Sequence, residues 1–156
     1  MMRVVPYFVS FTILGVVLLG FELGGAWLLL SPVYIFAVLP MVDAFGGHDT
    51  ESPQELDPKI NRDVWQDLPL WLWGPAQLGA TGYGLTLVAQ GGYSPLEFLG
   101  MIFSTGIMGV GAGINVGHEL MHRSGKAERA MAEIMLTSVS YTHFCVEHIL
   151  GHHRRV

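Results

Sequence analysis

The sequence predicts an all-α fold: polytopic membrane helices, about four spans, followed by shorter helices that carry histidine boxes at the cytoplasmic face. Three observations carry this. Of the 156 residues, 51% are hydrophobic and only 13% charged, about half the charged share of an ordinary soluble domain. The mean hydropathy is +0.43, and the apolar residues come in long runs rather than amphipathic stripes, the pattern of an integral membrane protein. Six of the seven histidines lie after Asn115, where the apolar runs end.

Taken in order, Met1 to Val5 is a short start with one basic residue, Arg3. From Pro6 to Phe45 the chain is almost wholly apolar, broken by Glu22, Gly24-Gly25, Ser31-Pro32 and Asp43. One helix needs about 20 residues to cross a bilayer, so this stretch holds two spans, about 6-22 and 25-45, with a turn between them. A cleavable signal peptide is the competing reading of the start, but the apolar run continues well past any cleavage site. Residues 46-67 form the one strongly polar segment, with Pro53 and Pro58 among eight charged side chains, and read as an extramembrane loop. A third span follows at 68-90. Gly91-Gly92-Tyr93-Ser94-Pro95 is a tight turn with Ser94 as N-cap and Glu97 in the first helical turn. The fourth span, 96-117, carries Gly100, Gly106, Gly109, Gly111 and Gly113, which point to close helix packing. Ala127 to Val146 has helical spacing but is interrupted by charge, and fits a helix at the membrane boundary better than a fifth span.

Charge sets the orientation. With four spans, all eight basic residues (Arg3, Lys59, Arg62, Arg123, Lys126, Arg129, Arg154 and Arg155) fall on one side, which the positive-inside rule makes the cytoplasm. The predicted location is the inner membrane of a bacterium, with both histidine clusters on its cytoplasmic side. The net charge of −5 and the lack of a basic stripe exclude nucleic acid as a partner. A single cysteine, Cys145, excludes an internal disulfide and a cysteine-based zinc cluster.

The histidines carry the chemistry. His118 and His122, in Gly117-His118-Glu119-Leu120-Met121-His122, are four apart and share one helix face, so both imidazoles can reach one point. His148 and His152 repeat that spacing in Glu147-His148-Ile149-Leu150-Gly151-His152-His153, with His153 one position further round. Imidazole is the commonest protein ligand for iron, zinc and copper. Five such groups exceed what one closed four-coordinate site needs, so more than one ion is expected. Two other readings stand beside this one. His118-Glu119-Leu120-Met121-His122 matches H-E-x-x-H, the zinc-protease pattern in which the glutamate is general base. A metal-free pair of hydrogen-bonded histidines explains the first cluster alone, but not the second.

His118-Glu119-Leu120-Met121-His122-Arg123 resembles the first histidine box of the membrane-bound alkane monooxygenase family, and Glu147 to His153 its second. The flanks are similar too: Asn115-Val116-Gly117, Tyr141-Thr142-His143-Phe144, and Leu39-Pro40-Met41-Val42-Asp43-Ala44-Phe45-Gly46-Gly47. The resemblance implies that residues 1-156 are the N-terminal part of one integral-membrane diiron oxygenase domain. It implies terminal hydroxylation of alkanes by O2 at two non-haem iron ions. Rubredoxin would supply the electrons, itself reduced by an NADH-dependent reductase, and the alkane would come from the bilayer. The metal ligands would be His118, His122, His148, His152 and His153. Other histidine-box diiron enzymes, the membrane desaturases and xylene monooxygenase, share these boxes. The family's third box, of the Gln-Arg-His-x-x-His-His kind, has no counterpart here, so the expectation is a fragment that is inactive alone.

Glu119 and Glu147 adjoin ligands and are expected to orient imidazole N–H groups; His143 is expected to support the site rather than ligate. Asp43 is costly in lipid and should face the protein or the membrane boundary. His48 reads as a surface histidine. Trp27, Trp65, Trp71 and Trp73 lie mostly near span ends, where interfacial anchoring is the default, and Cys145 and the methionines read as packing.

Overall fold

The computed structural model describes residues 8–46 and 64–148, and these are helical with short connections. Helix α1 spans Val9–Leu23. Gly24 and Gly25 reverse the chain with φ of 63° and 55°, a left-handed backbone that glycine adopts without steric cost. A 3-10 turn, Gly25–Leu29, leads into α2 (Leu30–Val33), a wide π turn (Tyr34–Val38) and α3 (Leu39–Gly46). The wide turn lies just before Pro40, which cannot donate to the carbonyl four residues earlier and whose ring crowds it. Helix α4 is Val64–Gln90, so the helix begins within the stretch expected to be loop and takes Asp67 into its first turn.

The turn at Gly91-Gly92 is followed by α5, Pro95–Met108, which starts as the sequence predicts. Ser94 Oγ accepts from Glu97 N at 3.3 Å, and Glu97 Oε2 accepts from Ser94 N at 2.9 Å, a reciprocal capping box. Glu97 Oε1 also accepts from Gly25 N at 3.1 Å, which fastens the two chain reversals to each other at one end of the molecule. A second π turn, Gly109–Gly113, joins α5 to α6, Ile114–Met121. Residues 127–146, expected as one boundary helix, form two instead. Helix α7 is Lys126–Ser138 and α8 is His143–Val146. Between them Tyr141 N donates to Leu136 O at 2.8 Å and Ser140 N to Thr137 O at 3.0 Å, a Schellman turn with Ser140 left-handed at φ 59°.

Apolar side chains lie on the outside as much as inside. Val17, Leu28, Trp73, Met108, Leu120, Met135 and Leu136 are buried, while Phe36, Phe45 and Leu96 are 74%, 85% and 76% exposed. Water would not tolerate so much exposed apolar surface on a monomer, and lipid would. Two helices among the described residues are long and apolar enough to cross a membrane, Gly25–Phe45 and Pro95–Met121. Helix α1 has 15 residues, and α4 has the length at 27 but carries Gln77 and Pro75 at its middle.

Inside, the buried Ser31, Ser104, Trp73 and Gln77 side chains are paired. Ser31 Oγ donates to Ser104 Oγ at 3.0 Å, and Trp73 Nε1 donates to Gln77 Oε1 at 2.9 Å. Gln77 Nε2 in turn donates to Ser138 Oγ at 3.1 Å, tying α4 to the end of α7. Trp73 is therefore a core residue and not an interfacial anchor: the buried Gln77 gives its indole N–H the acceptor it needs. Trp27 is 54% exposed. Of the span-four glycines, Gly100, Gly109 and Gly113 stand where a Cβ would meet a side chain within 3 Å, whereas Gly106 faces open space.

Candidate metal centre

Helix α6 is the C-terminal end of the long α5–α6 rod, and it leads His118 and His122 out one turn apart. The chain then turns through Arg123 to Gly125 into α7, whose Ala132 and Leu136 pack against Gly117 of α6. The Schellman turn after α7 brings the chain back, and His148 lands beside the first pair. His118 Nε2 lies 2.9 Å from His148 Nε2 and 2.9 Å from His122 Nε2, with 3.1 Å between His122 and His148. The rings meet edge to face, with centroids 4.5–5.0 Å apart.

Three imidazole nitrogens facing one point are poorly served by hydrogen bonds alone, since each neutral ring has one N–H to share. A metal about 2.1 Å from each nitrogen would see neighbours some 3 Å apart at about 90°, adjacent positions of an octahedron; a tetrahedral ion would hold them about 3.4 Å apart. The observed separations of 2.9–3.1 Å lie nearer the first arrangement. His152 and His153, expected ligands, lie outside the described residues, as does His48.

The neighbours divide. Glu119 projects from α6 toward Arg123, whose NH2 donates to its Oε1 at 3.3 Å. Glu147 and His148 line an open cleft with Tyr141 and Phe144. His143 sets its ring edge-on to Tyr141, with centroids 4.8 Å apart. Asp43 is exposed on α3, in keeping with the boundary placement.

The sequence reading gave Arg123 no role, yet it is the most deeply placed charge near the site, its side chain 7% exposed. It donates to Asp67 Oδ1 at 2.8 Å and lies 3.8 Å from Glu128 Oε1, joining α4, α6 and α7 behind the histidines. The hydrogen bond to Asp67 holds its pKa above the ordinary guanidinium value against the opposing effect of burial. Its i,i+4 spacing from Glu119 was the available signal. Asp67, 56 residues away, gave none. Burial likewise pushes the Cys145 thiol up, with Glu133 acting the same way and Arg129 against it.

No family model matches the chain. Curated proteins do. It is 33% identical over 133 residues to alkane 1-monooxygenase 2 of Alcanivorax borkumensis, covering 84% of this chain and 34% of that protein. It is 35% identical over 122 residues to the alkane 1-monooxygenase of Ectopseudomonas oleovorans, covering 78% and 30%. The chain is a homologue of the alkane 1-monooxygenases. It spans about a third of the length of these relatives. A further alkane 1-monooxygenase 2, from Pseudomonas aeruginosa, is 30% identical over 141 residues, 88% of this chain. The relatives are oxidoreductases by name, and in this chain His118, His122 and His148 converge.

Proposed function

We propose that this chain supplies part of the non-haem diiron centre of a terminal alkane hydroxylase, at the cytoplasmic edge of a bacterial inner membrane. The observation that carries the reading is the meeting of three Nε2 atoms, from segments 26 to 30 residues apart, within 3.1 Å. His118, His122 and His148 would hold iron together with His152 and His153. Bound iron supplies the redox chemistry that an unactivated C–H bond demands, with O2 as co-substrate. One oxygen atom enters the terminal C–H bond; the other leaves as water, which takes two protons and two electrons. Rubredoxin, reduced by its NADH-dependent partner, would bring the electrons from the cytoplasm.

The protein's own part is to place ligands and exclude water. Glu147 and His143 stand beside the second histidine segment as orienting groups. Glu119 acts from the middle of the first, its charge held by Arg123. In a zinc protease the same glutamate must be free to activate water; here it faces Arg123, which supports the iron reading. The substrate would arrive from lipid. An apolar cavity of about 460 Å³ lies between α4, α5 and the end of α7, walled by Leu85, Val88, Phe98, Met101 and Ile102. It offers an alkyl chain an apolar groove between the helices, open on the side of Leu85, Phe98 and Ile102.

Metal analysis of the purified protein, wild type against His118→Ala and His148→Ala, tests the assignment. Iron in the wild type and its loss in both variants is expected. A single zinc, or iron that survives His148→Ala, sinks the reading. Five histidines are too few to enclose two irons, so the 156-residue chain on its own is expected to make no alcohol from an alkane, and detectable turnover would overturn that.

A further inference from the structure

One aromatic side chain touches imidazoles from both segments. Phe144, on α8 and four residues before His148, has its ring centroid 4.9 Å from that of His148 and 5.7 Å from that of His118, at interplanar angles of 32° and 65°. Behind it Tyr141 stacks almost parallel, 5.1 Å away at 18°. Tyr141 is fixed in turn by its backbone bond to Leu136, and the hydroxyls of Thr137 and Thr142 pair at 3.0 Å across the same turn. A rigid path therefore runs from the end of α7, through two stacked rings, to the face of His148 and the edge of His118.

We infer that Phe144 is a positioning residue of the histidine cluster: it backs His118 and His148 at once, with Tyr141 as its support, so that ring nitrogens from two chain segments face one point. The inference rests on the metal reading proposed above. It assigns the geometry of the site to an apolar side chain that ligates nothing. Groups outside the ligand set that aim a histidine typically change metal affinity by about 10–100-fold.

Cobalt(II) titration of the purified chain in lipid nanodiscs, followed by its ligand-field absorption, tests this. Phe144→Leu is expected to weaken cobalt binding about tenfold or more and to shift the bands. Its helical circular dichroism should match the wild type, and its metal-free melting should fall only slightly and equally in Phe144→Leu and Phe144→Met. Phe144→Met, which keeps apolar volume without a flat ring, should behave alike and guards against a folding artefact; Phe144→Tyr should restore both affinity and bands. Wild-type affinity and an unchanged spectrum in Phe144→Leu and Phe144→Met overturn the assignment. Equal cobalt binding by wild type and His118→Ala is a different result, and overturns the metal site itself.

Discussion

Asp67→Asn is the sharpest test of how the site is braced. The substitution keeps the shape of the side chain and removes its charge. Arg123 is left with its guanidinium 7% exposed and only two carboxylates nearby, Glu119 at 3.3 Å and Glu128 at 3.8 Å. A hydrogen bond to a charged group contributes about 1.5–3 kcal/mol, and a buried ion that loses a partner lies at the upper end. Asp67 is itself 28% exposed, so part of the charge–charge attraction is already screened, and about 2–3 kcal/mol is the expected loss. For a chain of this size each kcal/mol moves the melting temperature by about 2–4 °C, giving a fall of about 4–12 °C. Glu119→Gln is the control. That carboxylate is 54% exposed, and an exposed i,i+4 pair is worth under about 1 kcal/mol. Melting should be followed by circular dichroism in detergent with chelator present, because a bound metal would add its own stabilisation. In an Arg123→Met background Asp67→Asn should cost little, since the two act as one unit. A melting temperature unmoved by Asp67→Asn, or lowered equally by Glu119→Gln, would refute the claim that burial of Arg123 makes this ion pair matter.

Two further outcomes follow from packing and burial. Gly113→Ala and Gly106→Ala make the same change seven residues apart with opposite signs. A Cβ at Gly113 would stand 2.1 Å from Gln77 Oε1, and overpacking of this kind costs about 1–3 kcal/mol. At Gly106 nothing lies within 4 Å, so alanine should stabilise by about 0.5–1 kcal/mol through its lower chain entropy; paired thermal melts check both. Cys145, its thiol pushed above the ordinary value by burial, should stay protonated and react slowly with iodoacetamide at neutral pH. Its alkylation midpoint should lie above that of free cysteine measured alongside, and a midpoint at or below that of the free thiol would contradict the placement.

The sequence carries the local devices of this fold well and the distant pairings poorly. The capping box at Ser94 and Glu97, the reversal at Gly24-Gly25 and the shared face of His118 and His122 all follow from residues within four positions of one another. The brace from Arg123 to Asp67 spans 56 residues and the core bond from Gln77 to Ser138 spans 61. No periodicity encodes either. The meeting of His148 with the first pair was legible only because the second cluster repeats the spacing of the first.

The wide turn at Gly109–Gly113 was not legible at all, although the facing of the first histidine pair depends on it. Buried positions on the α5–α6 rod recur every four residues, Gly100, Ser104, Met108 and Ala112 before the wide turn ends, then Gly113, Gly117 and Met121, one residue on. Four residues overshoot a 3.6-residue turn by about 40°, so an unbroken α-helix would carry this stripe steadily away from the core. A turn that takes in an extra residue brings it back. Glycines permit it, because Gln77 and Val139 occupy the space that side chains at Gly113 and Gly109 would need. Only with that correction does Gly117 settle against Leu136 and Ala132, which turns His118 and His122 toward the chain that returns with His148. The glycines read from the sequence as close packing thus have a second effect: they set the phase at which the helix delivers its imidazoles.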